Sequence, residues 1–156
     1  MELSTRARYA VEAVIDLALH NNDEENISLG SISNRISVSI SYLEQLFAKL
    51  RRAGVVNSIK GPKGGYKLNK DMSEISILDI IVAVDEPLET RSCKGKVSNG
   101  FGCGLNNARC KSHDLWDELL QKINTYLGTV TLKDVVNKTV FVGNNSGITQ
   151  AVRELQ

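Results

Sequence analysis

Three cysteines and a histidine stand close together in this 156-residue chain, as Cys93, Cys103, Cys110 and His113 in the spacing C-x9-C-x6-C-x2-H. They include every cysteine of the chain and one of its two histidines. Three thiolates and an imidazole can hold a tetrahedral zinc ion or a 2Fe-2S cluster, whose two irons need four protein ligands between them, or can serve as free redox thiols. Structural zinc sites usually contain a ligand pair separated by two to four residues. Only Cys110 and His113 are that close, and the wide spacings in a glycine-rich stretch suit the wrapping of a larger inorganic core. An odd cysteine count, with none outside this stretch, argues against a disulfide scaffold. Cys110 and His113 can also be drawn as nucleophile and base, but no orienting third residue or oxyanion motif accompanies them, so no enzyme is expected.

From Glu89 to Lys111 the sequence shows no apolar period, so the ligand candidates lie in a loop longer than compact domains tolerate without a purpose. The elements on either side must position it. Before it, Ser76 opens a helix with Ile77, Ile80, Ile81 and Val84 inward, stopped by Pro87. After it, a helix from Ser112 to about Val130 carries Trp116, Leu120, Ile123, Leu127 and Val130 at four, three, four, three, with Leu115 and Leu119 widening the stripe. A 4-3 seam suits a partner helix, and a second copy of the chain is the expected partner. Thr131 to Asn137 can add a further turn or two, and the polar tail from Lys138 to Gln156 is expected to be mobile.

The N-terminal half has a different pattern. Apolar residues recur at helical spacing from Ser4 to Leu19, and His20 at the end of that helix reads as a C-terminal charge or cap. Ser28 caps a short second helix ending near Ile36. A tight turn follows, and Ser39 or Ser41 opens a third helix through Ala53, with Leu43, Leu46, Phe47 and Leu50 on one stripe. Gly54 stands where a left-handed cap is wanted. Val55 to Ile59 and Tyr66 to Leu68 are strand-like and flank the tip Gly61-Pro62-Lys63-Gly64-Gly65. Two helices across a tight turn and then a two-stranded ribbon is the order of a winged helix-turn-helix. The expected fold is therefore mainly α with a small β-wing. It divides into a DNA-binding domain over 1–70, a connecting helix over 71–88, the cluster loop over 89–112, a dimerisation helix region over 113–138 and a tail over 139–156.

Charge agrees with this order. The formal net charge is only +1, yet residues 45 to 70 contain Lys49, Arg51, Arg52, Lys60, Lys63, Lys67 and Lys70 and no acidic residue. With the third helix in the major groove, Gln45 can bond adenine, Glu44 can accept from cytosine N4, and Ser41 can serve either. Ser41 and Glu44 also fit a capping box, an equally weighted reading. Ser39, Lys49, Arg51 and Arg52 on the helix and Lys60 and Lys63 on the wing complete the expected DNA-facing set, with the wing glycines letting the backbone approach a phosphate. With 42% hydrophobic and 24% charged residues, and no apolar run near the ~20 residues of a membrane span, the expectation is a cytosolic globular protein without a membrane partner.

Tyr42-Leu43-Glu44-Gln45-Leu46-Phe47, Gly61-Pro62-Lys63-Gly64-Gly65-Tyr66, Ala83-Val84-Asp85-Glu86 and Cys110-x-x-His113-x-Leu115-Trp116 resemble the IscR family, the iron-sulfur cluster regulators of bacteria. These are winged helix-turn-helix transcription regulators of the Rrf type, and the resemblance extends from residue 1 to about residue 138. It implies a homodimer binding one 2Fe-2S cluster per subunit, loaded by the cluster assembly machinery, whose occupancy changes which promoters are bound. It places the ligands on Cys93, Cys103, Cys110 and His113 and the base-reading residues on Ser41, Glu44 and Gln45. The chain departs from the family in a longer run between its first two cysteines, in Ser37 where such turns often carry glycine, and in Lys60 where relatives carry arginine. A zinc-stabilised or thiol-redox regulator or interaction module is the alternative.

Overall fold

The computed structural model describes residues 4–21, 26–84 and 113–139. Six helices and a two-stranded sheet lie within them: α1 (Thr5–His20), α2 (Leu29–Ile36), α3 (Ile40–Arg52), β1 (Val56–Ile59), β2 (Gly65–Leu68), α4 (Ile77–Ala83), α5 (His113–Thr129) and α6 (Leu132–Val136). The arrangement is the mainly helical fold with a β-wing that the sequence predicts.

Side-chain oxygens set most of the helix starts. Ser4, Ser28 and Ser39 accept from backbone N–H groups of Ala7, Ser31 and Tyr42, which would otherwise be orphaned in the first turns of α1, α2 and α3. Capping by Ser39 corrects the Ser41-Glu44 reading. The third residue of α3 is Tyr42, which cannot close a box, and Glu44 lies beyond the first turn. Capping boxes form elsewhere, between Ser76 and Asp79 on α4 and between Thr131 and Asp134 on α6. At its other end α4 stops at Ala83, short of Pro87, which lies outside the described residues.

One core serves every helix but the outer part of α5. Leu17, Ile32, Leu43, Leu46, Phe47, Leu50, Ile80 and Ile81 are fully or almost fully buried together, and Leu132 of α6 joins them at 0% exposure. The connecting helix and the end of the chain's described part thus belong to the same packed body as the helix-turn-helix. Backbone bonds make the join. Leu132 N–H donates to Ile75 O at 2.8 Å and Ile77 N–H to Val130 O at 2.9 Å, so α4 and α6 start side by side.

One device ties α1 to α2, and a second shapes the turn between α2 and α3. Asp16 of α1, only 8% exposed, accepts three hydrogen bonds from Arg35 of α2, at 2.7, 2.8 and 3.1 Å. That hydrogen bonding raises the Arg35 pKa above its ordinary value. His20 adds a 2.8 Å contact from Nδ1 to the Asp16 carbonyl, the C-terminal cap expected of it. The second device is Ser37, whose φ of 57° places it in the left-handed region where a Cβ is strained. Replacing it with glycine should relieve that strain.

Two outcomes follow from this packing. Ser37→Gly should stabilise the fold by about 1 kcal/mol, read as a rise of roughly 2–4 °C in the melting temperature. Hydrogen bonds from the Thr131 side chain and backbone hold the Asp134 carboxyl below its ordinary 3.8. A depressed folded pKa means a contribution that is complete above the unfolded value and lost as pH falls through the folded one. Denaturant titrations below pH 5 should therefore show a steeper acid loss for the native chain than for Asp134→Asn, and parallel curves would refute the assignment.

Candidate nucleic-acid interface

The buried stripe of α3 turns its opposite face outward. Ser41, Glu44 and Gln45 are all exposed there, on successive turns near the helix N-terminus, and Arg52 is exposed at its far end. With Ser39 as the cap of α3, Glu44 is released from capping and left on the exposed face. Ile40, the first residue of the helix and 48% exposed, adds an apolar side chain that the sequence reading passed over. Such a group can touch a thymine methyl.

Below Arg52, α3 ends in a paired turn. Gly54, at φ 74°, lets its N–H reach Arg51 O at 3.1 Å and the Val55 N–H reach Leu50 O at 3.0 Å, the two bonds of a Schellman motif. The chain is thereby handed straight to β1. Strands β1 and β2 pair antiparallel from Val56 opposite Leu68 to Ile59 opposite Gly65, and the tip between them presents Lys60 and Lys63, both exposed.

Two other basic residues have internal partners. Arg51 donates from Nη1 to Ser58 Oγ at 3.1 Å and ties α3 to the wing, while Lys49 reaches Val84 O at 3.4 Å at the end of α4. Helix position 49 therefore points toward α4.

Two of the wing glycines, Gly64 and Gly65, serve the protein's own packing. A Cβ at Gly64 would lie 2.5 Å from Ile59 O, and one at Gly65 would lie 2.7 Å from Ile27 O. Ile27 is the reason for the second figure. It pairs with Tyr66 through two backbone bonds of 3.0 and 2.8 Å, a one-residue third strand that the sequence reading missed because a single residue carries no alternation. Tyr66 in turn meets Phe47 edge-on at 4.8 Å, so the wing is seated on the buried side of the recognition helix.

Cys93, Cys103 and Cys110 lie outside the described residues, as does the side chain of His113, whose backbone begins α5. On α5, Leu115, Trp116, Leu119 and Tyr126 are exposed by 61, 41, 38 and 56%, whereas Leu127 and Val130 pack on the core. The seam is thus covered at its C-terminal end, half-buried at Leu120 and Ile123, and open at Leu115, Trp116 and Leu119. Among the described residues no helix is long and apolar enough to cross a membrane.

A helix pair with an exposed polar reading face, followed by a braced two-stranded wing, defines the class: a winged helix-turn-helix protein that binds DNA. Residues 3–138 match the Rrf2 family, described as iron-dependent transcriptional regulators, and the chain belongs to that family. It is a DNA-binding transcriptional regulator and not an enzyme. It is 45% identical over 137 residues to the HTH-type transcriptional regulator IscR of Yersinia pseudotuberculosis serotype O:1b (strain IP 31758), covering 88% of this chain and 80% of that one. Among solved structures it is similar to T. potens IscR, with a TM-score of 0.70 and 30% identity over 96% of both chains. It is also similar to CymR (YrzC), the global cysteine regulator of B. subtilis, with a TM-score of 0.72 and 30% identity over 88% of this chain and 98% of that one.

Proposed function

We propose that this chain is a homodimeric, cytoplasmic regulator that senses iron-sulfur cluster status through a 2Fe-2S cluster, one per subunit, and adjusts promoters of cluster assembly and related genes. The observation that carries the reading is a donor set of three cysteines and one histidine in a single stretch, joined directly to α5 in a chain whose other half is a DNA-reading domain. The donor set fits the group, since Cys93, Cys103, Cys110 and His113 supply four protein ligands for two irons. When bound, the cluster supplies reversible one-electron chemistry and sensitivity to oxidants. A histidine among the ligands makes loading dependent on pH, because the imidazole must be neutral to bind. The cluster assembly machinery is the donor.

The dimer reading rests on the open part of the α5 seam. Leu115, Leu119 and the exposed area of Trp116 recur at helical spacing on one face, the arrangement that a second copy of the same helix covers. Two recognition helices held by such a dimer address half-sites about one turn of DNA apart, roughly 34 Å. In this reading Ser41, Glu44 and Gln45 read bases. Ser39 as a cap, Arg51 and Arg52 on the helix, and Lys60 and Lys63 on the wing set the docking on phosphates. Lys49, directed at α4, contributes charge from behind.

Three thiols and an imidazole also suit a zinc ion or free redox thiols, and that is the second reading: the same fold without a cluster. Visible absorption with iron and sulfide analysis on protein purified without oxygen separates the two. The expected result is bands between ~400 and 600 nm with about two irons and two sulfides per chain, lost in a folded Cys110→Ala variant. A colourless protein with one zinc, or a Cys110→Ala chain that unfolds, would overturn the cluster reading. For base readout, Gln45→Ala should cost ~1–3 kcal/mol at the cognate operator and little on random DNA. Equal losses on both would remove Gln45 from base recognition.

A further inference from the structure

We infer that Asn26 is a positioning residue for DNA binding, which sets the wing tip at the height where its lysines meet the duplex. The inference rests on the reading of Lys60 and Lys63 as DNA contacts. Asn26 lies just before α2, far from the wing in sequence, yet its side-chain Nδ2 donates to the carbonyl of Lys63 at 2.9 Å. The next residue, Ile27, pairs through its own N–H and C=O with Tyr66. Side-chain and backbone bonds from two adjacent residues therefore hold both the tip and β2.

The tip needs that hold. Beyond the Ile59–Gly65 pair that closes the hairpin, the tip carries one backbone bond of its own among the described residues, Gly64 N–H to Gly61 O at 2.8 Å, and Gly61, at φ 119°, has nothing within 4 Å of where a Cβ would stand. Lys60, Gly61, Pro62 and Lys63 are all exposed. A hairpin end of that composition, with one internal bond, has many accessible orientations, and each unproductive one lowers the fraction of protein ready to bind. The Asn26 amide selects among them by fastening the backbone of the very residue whose ammonium is to reach a phosphate. The fastening comes from the segment leading into α2, so the wing is referenced to the helix-turn-helix itself and not only to its own strands.

The contribution of one amide hydrogen bond predicts about a five-fold weaker operator affinity for Asn26→Ala in the full-length protein. Because the lysines would no longer be held near phosphates, the slope of log affinity against log salt should fall by roughly one phosphate contact, about 0.9. A double-mutant cycle makes the test specific. Lys60→Ala/Lys63→Ala should weaken binding and flatten the slope, and adding Asn26→Ala to it should then cost nothing further. Asn26→Leu, nearly the same shape without the donor, carries the test if the alanine variant does not fold.

Three results would overturn the inference, each distinguishable from the others. Affinity and slope unchanged in Asn26→Ala, while the double lysine variant is impaired, would leave the wing contacts standing and remove Asn26 from positioning them. A full five-fold loss that persists in the lysine-free background, with the melting temperature reduced, would make Asn26 a stability residue. No effect of the lysine pair itself would remove the wing contacts and Asn26's role together.

Discussion

The recognition helix is held by four side chains, Leu43, Leu46, Phe47 and Leu50, that face a core built by α1, α2 and α4. Each is at most 2% exposed, and burying such a side chain contributes on the order of 1.5–3 kcal/mol. That stripe fixes the rotation of α3 about its own axis. Once it is buried, Ser41, Glu44 and Gln45 have no freedom except to face outward, since residues opposite a buried stripe on a helix are exposed by geometry alone. Phe47 extends the same constraint to the wing through its edge-on contact with Tyr66. The outward face of α3 and the wing are therefore both referenced to the same buried stripe.

The links between helix and wing are short and chemically varied. The Schellman turn at Gly54 leaves no slack between α3 and β1, Arg51 bonds Ser58 across that turn, and Asn69 returns to Gly54 O at 2.9 Å. None of these is a strong interaction alone, and Arg51 is exposed, so each is worth little in isolation. Together they convert a hairpin that would be marginal by itself into part of the domain.

Much of this was legible in the sequence because its causes are local. Serine before an apolar period marks a helix start, and Ser28 caps as expected while Ser76 opens α4 where expected; Ser4, at the start of the first periodic stretch, caps α1. Serines at 37, 39 and 41 all offer a capping oxygen, and local chemistry alone does not choose among them. The choice falls on Ser39 because the turn through Ser37 must bring Val38 and Leu43 into the core together. Long-range partners were invisible for a related reason. Asp16 and Arg35 are nineteen positions apart, and Ile27 meets Tyr66 only after the wing has folded back. The glycines at 64 and 65 looked like room for a ligand, since composition does not reveal the carbonyls of Ile59 and Ile27 that already occupy the space. At the cysteines the sequence carries the chemistry alone, as they lie outside the described residues.

The placement of α5 constrains how any signal carried by residues 89–112 can act. Its C-terminal end passes into α6 through Val130 and Thr131, and α6 is tied to the start of α4 by the Leu132–Ile75 and Ile77–Val130 bonds and buries Leu132 completely. That end cannot shift without opening the core. The seventeen residues of α5 span about 25 Å, and Leu115, Trp116 and Leu119 are exposed toward the end away from the anchor. A change delivered at the N-terminal end of such a lever is resisted by its anchor, so the compliant element is whatever covers Leu115, Trp116 and Leu119. In the proposed dimer that element is the other subunit's helix. On that reading a change at the N-terminal end of α5 would alter operator choice through the way two anchored levers cross, which moves whole DNA-binding domains relative to each other and leaves the outward face of α3 within each one unchanged.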